Sequence, residues 1–179
     1  MSSLIPSGSA SGTGSMTLAA PVTNSNQTVT IPDATGTVMV SGNMPAFSAY
    51  QSSAQSISGS TYTKLQFQTE EFDTNNNFDS STNYRFTPTV AGYYQLTGGF
   101  NGTANVTSGQ LLVYKNGSQF KYLANPGGGT NAGGVWGTVL VYANGSTDYF
   151  EMWGYTTTGQ NANASSQLTY FQGCMVRSA

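Results

Sequence analysis

The sequence contains no histidine, one cysteine and only five lysines and arginines among its 179 residues. Each shortage removes a class of function. Without histidine there is no Ser-His-Asp triad, no Cys-His pair and no histidine-ligated metal. A lone Cys174 excludes an internal disulfide framework, and the chain is expected to be made in a reducing cytoplasm. Lys64, Arg85, Lys115, Lys121 and Arg177 are scattered, and the formal net charge is −2, so no electrostatic footprint for nucleic acid exists. Nothing approaches a run of about 18 apolar residues, so no membrane insertion is expected. The opening "MSSLIPSGSASGTGS" has neither the basic nor the apolar region of a secretory signal.

Charged residues of both signs make up only 7%, which argues against helices with Lys- and Glu-rich exposed faces. What remains is Ser, Thr, Asn and Gly, with 12% aromatics and 37% hydrophobic residues overall. That mixture suits short strands, Gly/Asn turns and hydroxyl-rich surfaces around an adequate core.

Three regions follow from composition. Residues 1–15 are a Ser/Gly-rich leader, flexible unless pinned against a partner surface. Residues 16–44 carry short β-type runs separated by Pro21, Asn24-Ser25-Asn26 and Pro32–Gly36, a ribbon too small to stand unsupported. Residues 45–179 read as a succession of strands beginning near Ala46, Thr63, Tyr84, Tyr93, Gln110, Gly134, Asp148 and Gln167. Asn116-Gly117 and Asn144-Gly145, each between apolar runs, predict tight hairpins. The stretch "RFTPTVAGYYQLTGGF" (85–100) alternates, with Tyr94, Leu96, Gly98 and Phe100 on one face and Tyr93, Gln95, Thr97 and Gly99 on the other. Pro88 and Ala91-Gly92 shape the loop feeding that strand. The runs "LLVY" (111–114), "VWGTVLVY" (135–142) and "YFEMWGY" (149–155) are apolar on both faces. A lone two-layer sandwich would leave one of those faces bare, so one sheet is expected to be covered by other subunits.

Catalytic and metal sites find little support. Asp73, Asn75 and Asn77 match the first ligand positions of a calcium loop, but Phe78 replaces the required Gly and Tyr84 the bidentate Glu. The acidic stretch 69–79 therefore reads as a solvated turn, with calcium as the alternative. Glu70 and Glu71, being adjacent, point to opposite faces and make a poor glycosidase pair. "GGGTNAG" (127–133) lacks the Lys and the following helix of a phosphate loop. Cys174 is expected to be a buried inert thiol in an apolar closing strand. Trp136 and Trp153 could stack on sugars, with burial in a core or interface as the other fate. The sequon Asn101-Gly102-Thr103 follows from composition.

The series Phe67, Asp73, Phe78, Phe86, Gly92 and Tyr94 resembles the signature of the globular head of complement component 1, subcomponent q. That family shares a jelly roll with tumour necrosis factor. "PAFSA" (45–49), "LVYKNGS" (112–118), "AGGVWGTVLVYANGSTDYFEMW" (132–153) and "LTYFQGCMV" (168–176) resemble its other strands in consistent order. The Phe78–Phe86 spacing is one residue longer than the usual pattern, and Leu96 and Gly98 stand where it prefers aromatics. No Gly-X-Y region precedes the domain, so an animal immune setting is not implied. Separately, "TVTIPDATGTV" (28–38) resembles segments near the starts of bacteriophage fibre and virion surface proteins.

Together these resemblances imply an all-β jelly-roll sandwich, a homotrimer and no cofactor. They point to a non-enzymatic virion surface protein, either a capsid decoration (cement) protein or a short head fibre. Tyr94, Leu112, Tyr114, Trp136, Leu140, Tyr142, Phe150, Met152 and Phe171 are the candidates for trimer interface or core. Leu18, Val29, Ile31, Val38 and Val40 would anchor residues 1–41 to the major capsid protein or another virion component. The alternative is a tail-fibre or receptor-binding tip module that recognises a host surface glycan.

Overall fold

A computed structural model describes residues 11–14, 17, 24–26, 28, 39–40, 42, 44–103, 108–126 and 134–179. The chain divides into two compact units, Met1–Gly36 and Thr37–Ala179. The described residues of the first unit are all exposed. Of the five anchoring candidates, Leu18, Val29, Ile31 and Val38 lie outside the described residues, and so does the 127–133 loop. Val40 is 57% exposed.

Among its described residues the second unit has thirteen strands: β1 (Ala46–Tyr50), β2 (Gln55–Ile57), β3 (Thr63–Lys64), β4 (Thr69–Asp73), β5 (Phe78–Asp79), β6 (Arg85–Phe86), β7 (Gly92–Asn101), β8 (Gly109–Lys115), β9 (Ser118–Ala124), β10 (Gly134–Ala143), β11 (Phe150–Thr156), β12 (Gln160–Ala162) and β13 (Tyr170–Ser178). No helix stands among the described elements. One sheet runs β10-β7-β13-β1-β4, and the other runs β5-β6-β11-β8-β9 with β3 also on β11. All of these strand pairings are antiparallel, and β2-β12 forms a small third ribbon.

The alternation in β7 sets the core. Tyr94, Leu96, Gly98 and Phe100 are buried, while Tyr93 and Gln95 are exposed. Burial of this kind supplies most of the driving force, about 1.5–3 kcal/mol for each large apolar side chain. Four phenylalanines close the middle: Phe47 stacks on Phe86 at 4.3 Å and Phe78 at 5.0 Å, and meets Phe171 edge-on at 4.9 Å. Such offset and edge-on geometry suits the ring quadrupoles. At the start of β7, a side chain on Gly92 would come within 2.5 Å of the Arg177 carbonyl, so only glycine admits β13 that closely.

The two Asn-Gly turns differ. Asn116 and Gly117 have φ values of 54° and 78°, and they join β8 to β9 as the expected tight hairpin. The second is not a hairpin, because β10 and β11 belong to different sheets. There the Asn144 carboxamide oxygen accepts the N–H groups of Ser146, Thr147 and Asp148, each at 3.0 Å. Asp148 in turn accepts the Asn144 N–H at 2.9 Å. Side-chain acceptors thus shape a wider crossover that the dipeptide alone does not distinguish from a turn.

The 69–79 stretch is also corrected: Thr69–Asp73 is strand β4, paired with β1. Its glutamates find hydroxyl partners, Ser80 donating to Glu70 at 2.5 Å and Ser48 to Glu71 at 2.7 Å. On the opposite edge of that sheet, Lys115 donates to the Tyr142 carbonyl at 2.9 Å and Lys121 to the Leu140 carbonyl at 3.4 Å.

Candidate functional site

The outward face of the five-stranded sheet is the least ordinary surface of this unit. On β10 every second residue faces out, leaving Trp136 43%, Leu140 53% and Tyr142 43% exposed. Tyr93 on β7 packs its ring 5.5 Å from Tyr142, and the Arg177 guanidinium lies 5.6 Å from the Tyr93 ring. Across the sheet, Phe72 and Val176 are more than half exposed. Trp136 lies flat over Gly99 and Gly134, where a side chain would collide with the indole, and donates to the Leu168 carbonyl at 3.1 Å. Those two glycines leave the ring room to lie down.

Between the two apolar groups sits a hollow of about 200 Å³, lined by Ala46, Phe47, Phe72, Gln95, Thr97, Gln172, Gly173 and Cys174. Cys174 is exposed here rather than buried. It stands opposite Gln95 and Ala46 in the ladders, while its neighbour Met175 fills the inward position.

The sequence-level candidates separate by position. Tyr94, Phe150, Met152 and Phe171 are fully buried in the core, and Trp136, Leu140 and Tyr142 lie on the outward face just described. Leu112 and Tyr114 point outward from the other sheet, yet only 1% and 8% of their surfaces are exposed. Sequence reasoning misses Phe72, Tyr93 and Val176. Tyr93 is visible as the start of a mixed face; Phe72 sits in a stretch that reads as a turn.

The outward face of the six-stranded sheet is aromatic and hydrogen-bonded. Tyr114 and Trp153 stack at 4.3 Å, and Tyr62 lies 5.1 Å from Tyr155. The Tyr62 hydroxyl donates to Gln110 at 2.7 Å and lies 3.1 Å from that of Tyr122; this contact, with burial, pushes the Tyr62 phenol up to about 12. Lys64 pairs with Glu151 at 3.1 Å, and Trp153 donates to the other oxygen of Glu151 at 3.2 Å.

The carboxylates serve as structural acceptors. Asp73 receives the N–H groups of Asn75 and Phe78, so both oxygens of the proposed calcium loop's first residue cap a turn. Among the described residues no cluster of three or more His, Cys, Asp and Glu could hold a metal ion. Asp79 is held well below the usual carboxylate range, chiefly by the Thr82 N–H, with Asn83 and Ser81 adding to it. It borders a polar cleft of about 550 Å³ with Glu70, Asn77 and Arg85. At Asp148 burial raises the carboxyl, but Lys115 at 2.8 Å, Asn116 and the Asn144 N–H outweigh it and lower the pKa. Arg85 is engaged against the Tyr149 ring at 4.2 Å. Backbone amides, hydroxyls and lysines thus hold these carboxylates in fixed positions.

No protein-family model and no curated protein matches the sequence. Solved structures do. Murine APRIL at pH 5.0 superposes with a TM-score of 0.58 at 9% identity, covering 74% of this chain and 99% of that one. The globular domain of zebrafish complement 1qA protein gives 0.50 at 13% identity, covering 75% and 99%. The fold is the tumour necrosis factor-like jelly roll. PRD1 vertex protein P5 also matches, with a TM-score of 0.49 at 13% identity, covering 75% of this chain and 73% of that one. The resemblance stated for residues 45–179 is thereby confirmed at the level of fold. In this jelly roll β4, β7 and β10 carry the exposed aromatics of one sheet, and β8 and β11 carry the stacked pair of the other.

Proposed function

We propose that this chain is a non-enzymatic bacteriophage virion protein, a trimeric capsid decoration (cement) or short head-fibre protein whose jelly-roll head projects from the particle. The observation that carries the reading is the outward face of the five-stranded sheet. Phe72, Tyr93, Trp136, Leu140, Tyr142 and Val176 are all substantially bare there. Two exposed apolar groups on one sheet face mark it as a protein contact. A ring closes only if each copy joins two unlike patches, and this face offers two: the β10–β7 aromatics, and the hollow beside Phe72 and Cys174. Three copies joined in this way cover one another's faces.

Placement on a virion is supported by the likeness of residues 28–38 to phage surface proteins and by the scarcity of charge in the arm. Threefold association would turn three weak arm contacts into one durable attachment. The test is deletion of residues 1–41. The truncated head is expected to remain trimeric and lose particle binding, and truncated heads that still decorate particles would refute the anchoring role. The second reading, recognition of a host surface glycan, draws support from the aromatic face of the six-stranded sheet.

A further inference from the structure

We infer that the outward face of the six-stranded sheet is a binding platform for a neutral oligosaccharide, centred on Trp153, Tyr122 and Tyr62. The inference rests on the glycan-recognition reading and names the ligand class and the residues at its centre.

The rings on this face differ in kind from those on the other sheet. On the five-stranded sheet Trp136, Leu140 and Tyr142 are each more than two-fifths exposed, as a protein partner requires. Here each central ring is pinned by a polar atom of its own. Trp153 is stacked against Tyr114 and donates to Glu151; Tyr62 is bonded to Gln110 and meets the Tyr122 hydroxyl. Rigid amphipathic rings give contact area at low entropic cost, because few rotamers remain to be frozen. Tyr122 still leaves 48% of its surface open, and beside it lies a small cavity of about 170 Å³ between Leu112 and Phe120.

Charge complementarity selects the ligand. Lys64 and Glu151 neutralise each other at 3.1 Å, and Arg85 is committed to the Tyr149 ring. What the surface offers is π faces beside hydroxyl and carboxamide groups, with the one cation lining the small cavity, Lys121, seated on the Leu140 carbonyl at 3.4 Å. The complement is a ligand with apolar C–H faces and a rim of neutral hydroxyls, which is a sugar ring. Among the described residues that line the small cavity, an anionic glycan would meet only Lys121, whose ammonium is held by the Leu140 carbonyl, and an apolar peptide would strand the hydroxyls of this face.

The experiment uses the full chain on arrays of neutral hexasaccharides (α-glucan, β-glucan, chitin and mannan) alongside sialylated and sulfated glycans. Binding to at least one neutral class is expected, unchanged as salt rises from about 0.05 to 0.5 M because no charge is screened. Tyr122→Ala, at a half-exposed position, is expected to weaken it at least tenfold while the chain stays folded, and Trp153→Ala to weaken it further. The inference is overturned if no neutral glycan binds, if neither variant weakens binding, or if only anionic glycans bind. It is also overturned if either variant instead changes the native mass, which would make this face a protein interface. Native mass and particle binding by the wild-type chain test the virion reading separately, so the two failures are distinguishable.

Discussion

Placing a carboxylate at residue 140 is the sharpest perturbation of the assembly proposed above. Leu140 is 53% exposed in the isolated chain, so Leu140→Asp disturbs little within the jelly roll. In a trimer it would face a neighbouring copy. An aromatic side chain offers roughly 150–250 Å², so the bare 43% of Trp136 or Tyr142 amounts to about 90 Å². At ~25 cal/mol/Å² that surface contributes about 2 kcal/mol once covered. Leu140 contributes about 1–2 kcal/mol on the same scale, and an unpaired carboxylate there adds a desolvation cost of several kcal/mol. The sum exceeds about 4 kcal/mol at each of three symmetric contacts, roughly a thousandfold apiece. Light scattering coupled to gel filtration should then find the wild type at three times 18.8 kDa, about 56 kDa, and the variant at 18.8 kDa with an unchanged melt. A wild type of single-chain mass at tens of micromolar, or a Leu140→Asp chain that stays trimeric, would refute the reasoning.

Other outcomes follow from the same geometry. Phe47→Ala removes the ring that meets Phe78, Phe86 and Phe171, and should cost about 3–5 kcal/mol by urea denaturation. Gly137→Ala drives a methyl group into the Leu123 carbonyl where β9 crosses β10, and should lower the melting temperature by several degrees despite the better strand former. The Asp148 carboxyl titrates below its ordinary value of 3.8, so its contribution is present at neutral pH and fades as pH falls below about 4. Asp148→Asn should therefore lower the melt at pH 7 and flatten its acid limb. Cys174 should react with a thiol reagent in Leu140→Asp and be protected in the wild-type assembly, a comparison that an accessible Cys174 in both would sink.

The fold is legible in the sequence because its signals are local and periodic. The period-two alternation of β7 is enough to turn Tyr94, Leu96 and Phe100 inward, and Asn116-Gly117 dictates its hairpin through two positive φ angles. What stays hidden depends on partners distant in sequence. Phe72 lies on a strand because Thr69–Asp73 pairs with β1, whose Ser48, the partner of Glu71, lies far outside any window around 69–79. Asn144-Gly145 looks identical to the other turn until Asp148 closes the reciprocal bond. Cys174 follows Gln172 onto the outward face of β13, and the apolar pair Met175-Val176 beside it masks that alternation. For the candidate surface, composition announces surplus apolar area but not its division. "VWGTVLVY" lies on one sheet, while "LLVY" and "YFEMWGY" lie on the other and cover themselves.

The two lysines that reach across to the carbonyls of Leu140 and Tyr142 have a consequence for life at high density. A terminal strand with free carbonyls is a template onto which a stranger's backbone can zip, and crowded molecules meet such strangers constantly. Ammonium groups seated on those oxygens deny the template and place positive charge where an intruding chain would have to lie. Molecules so guarded can be packed shoulder to shoulder without growing into filaments.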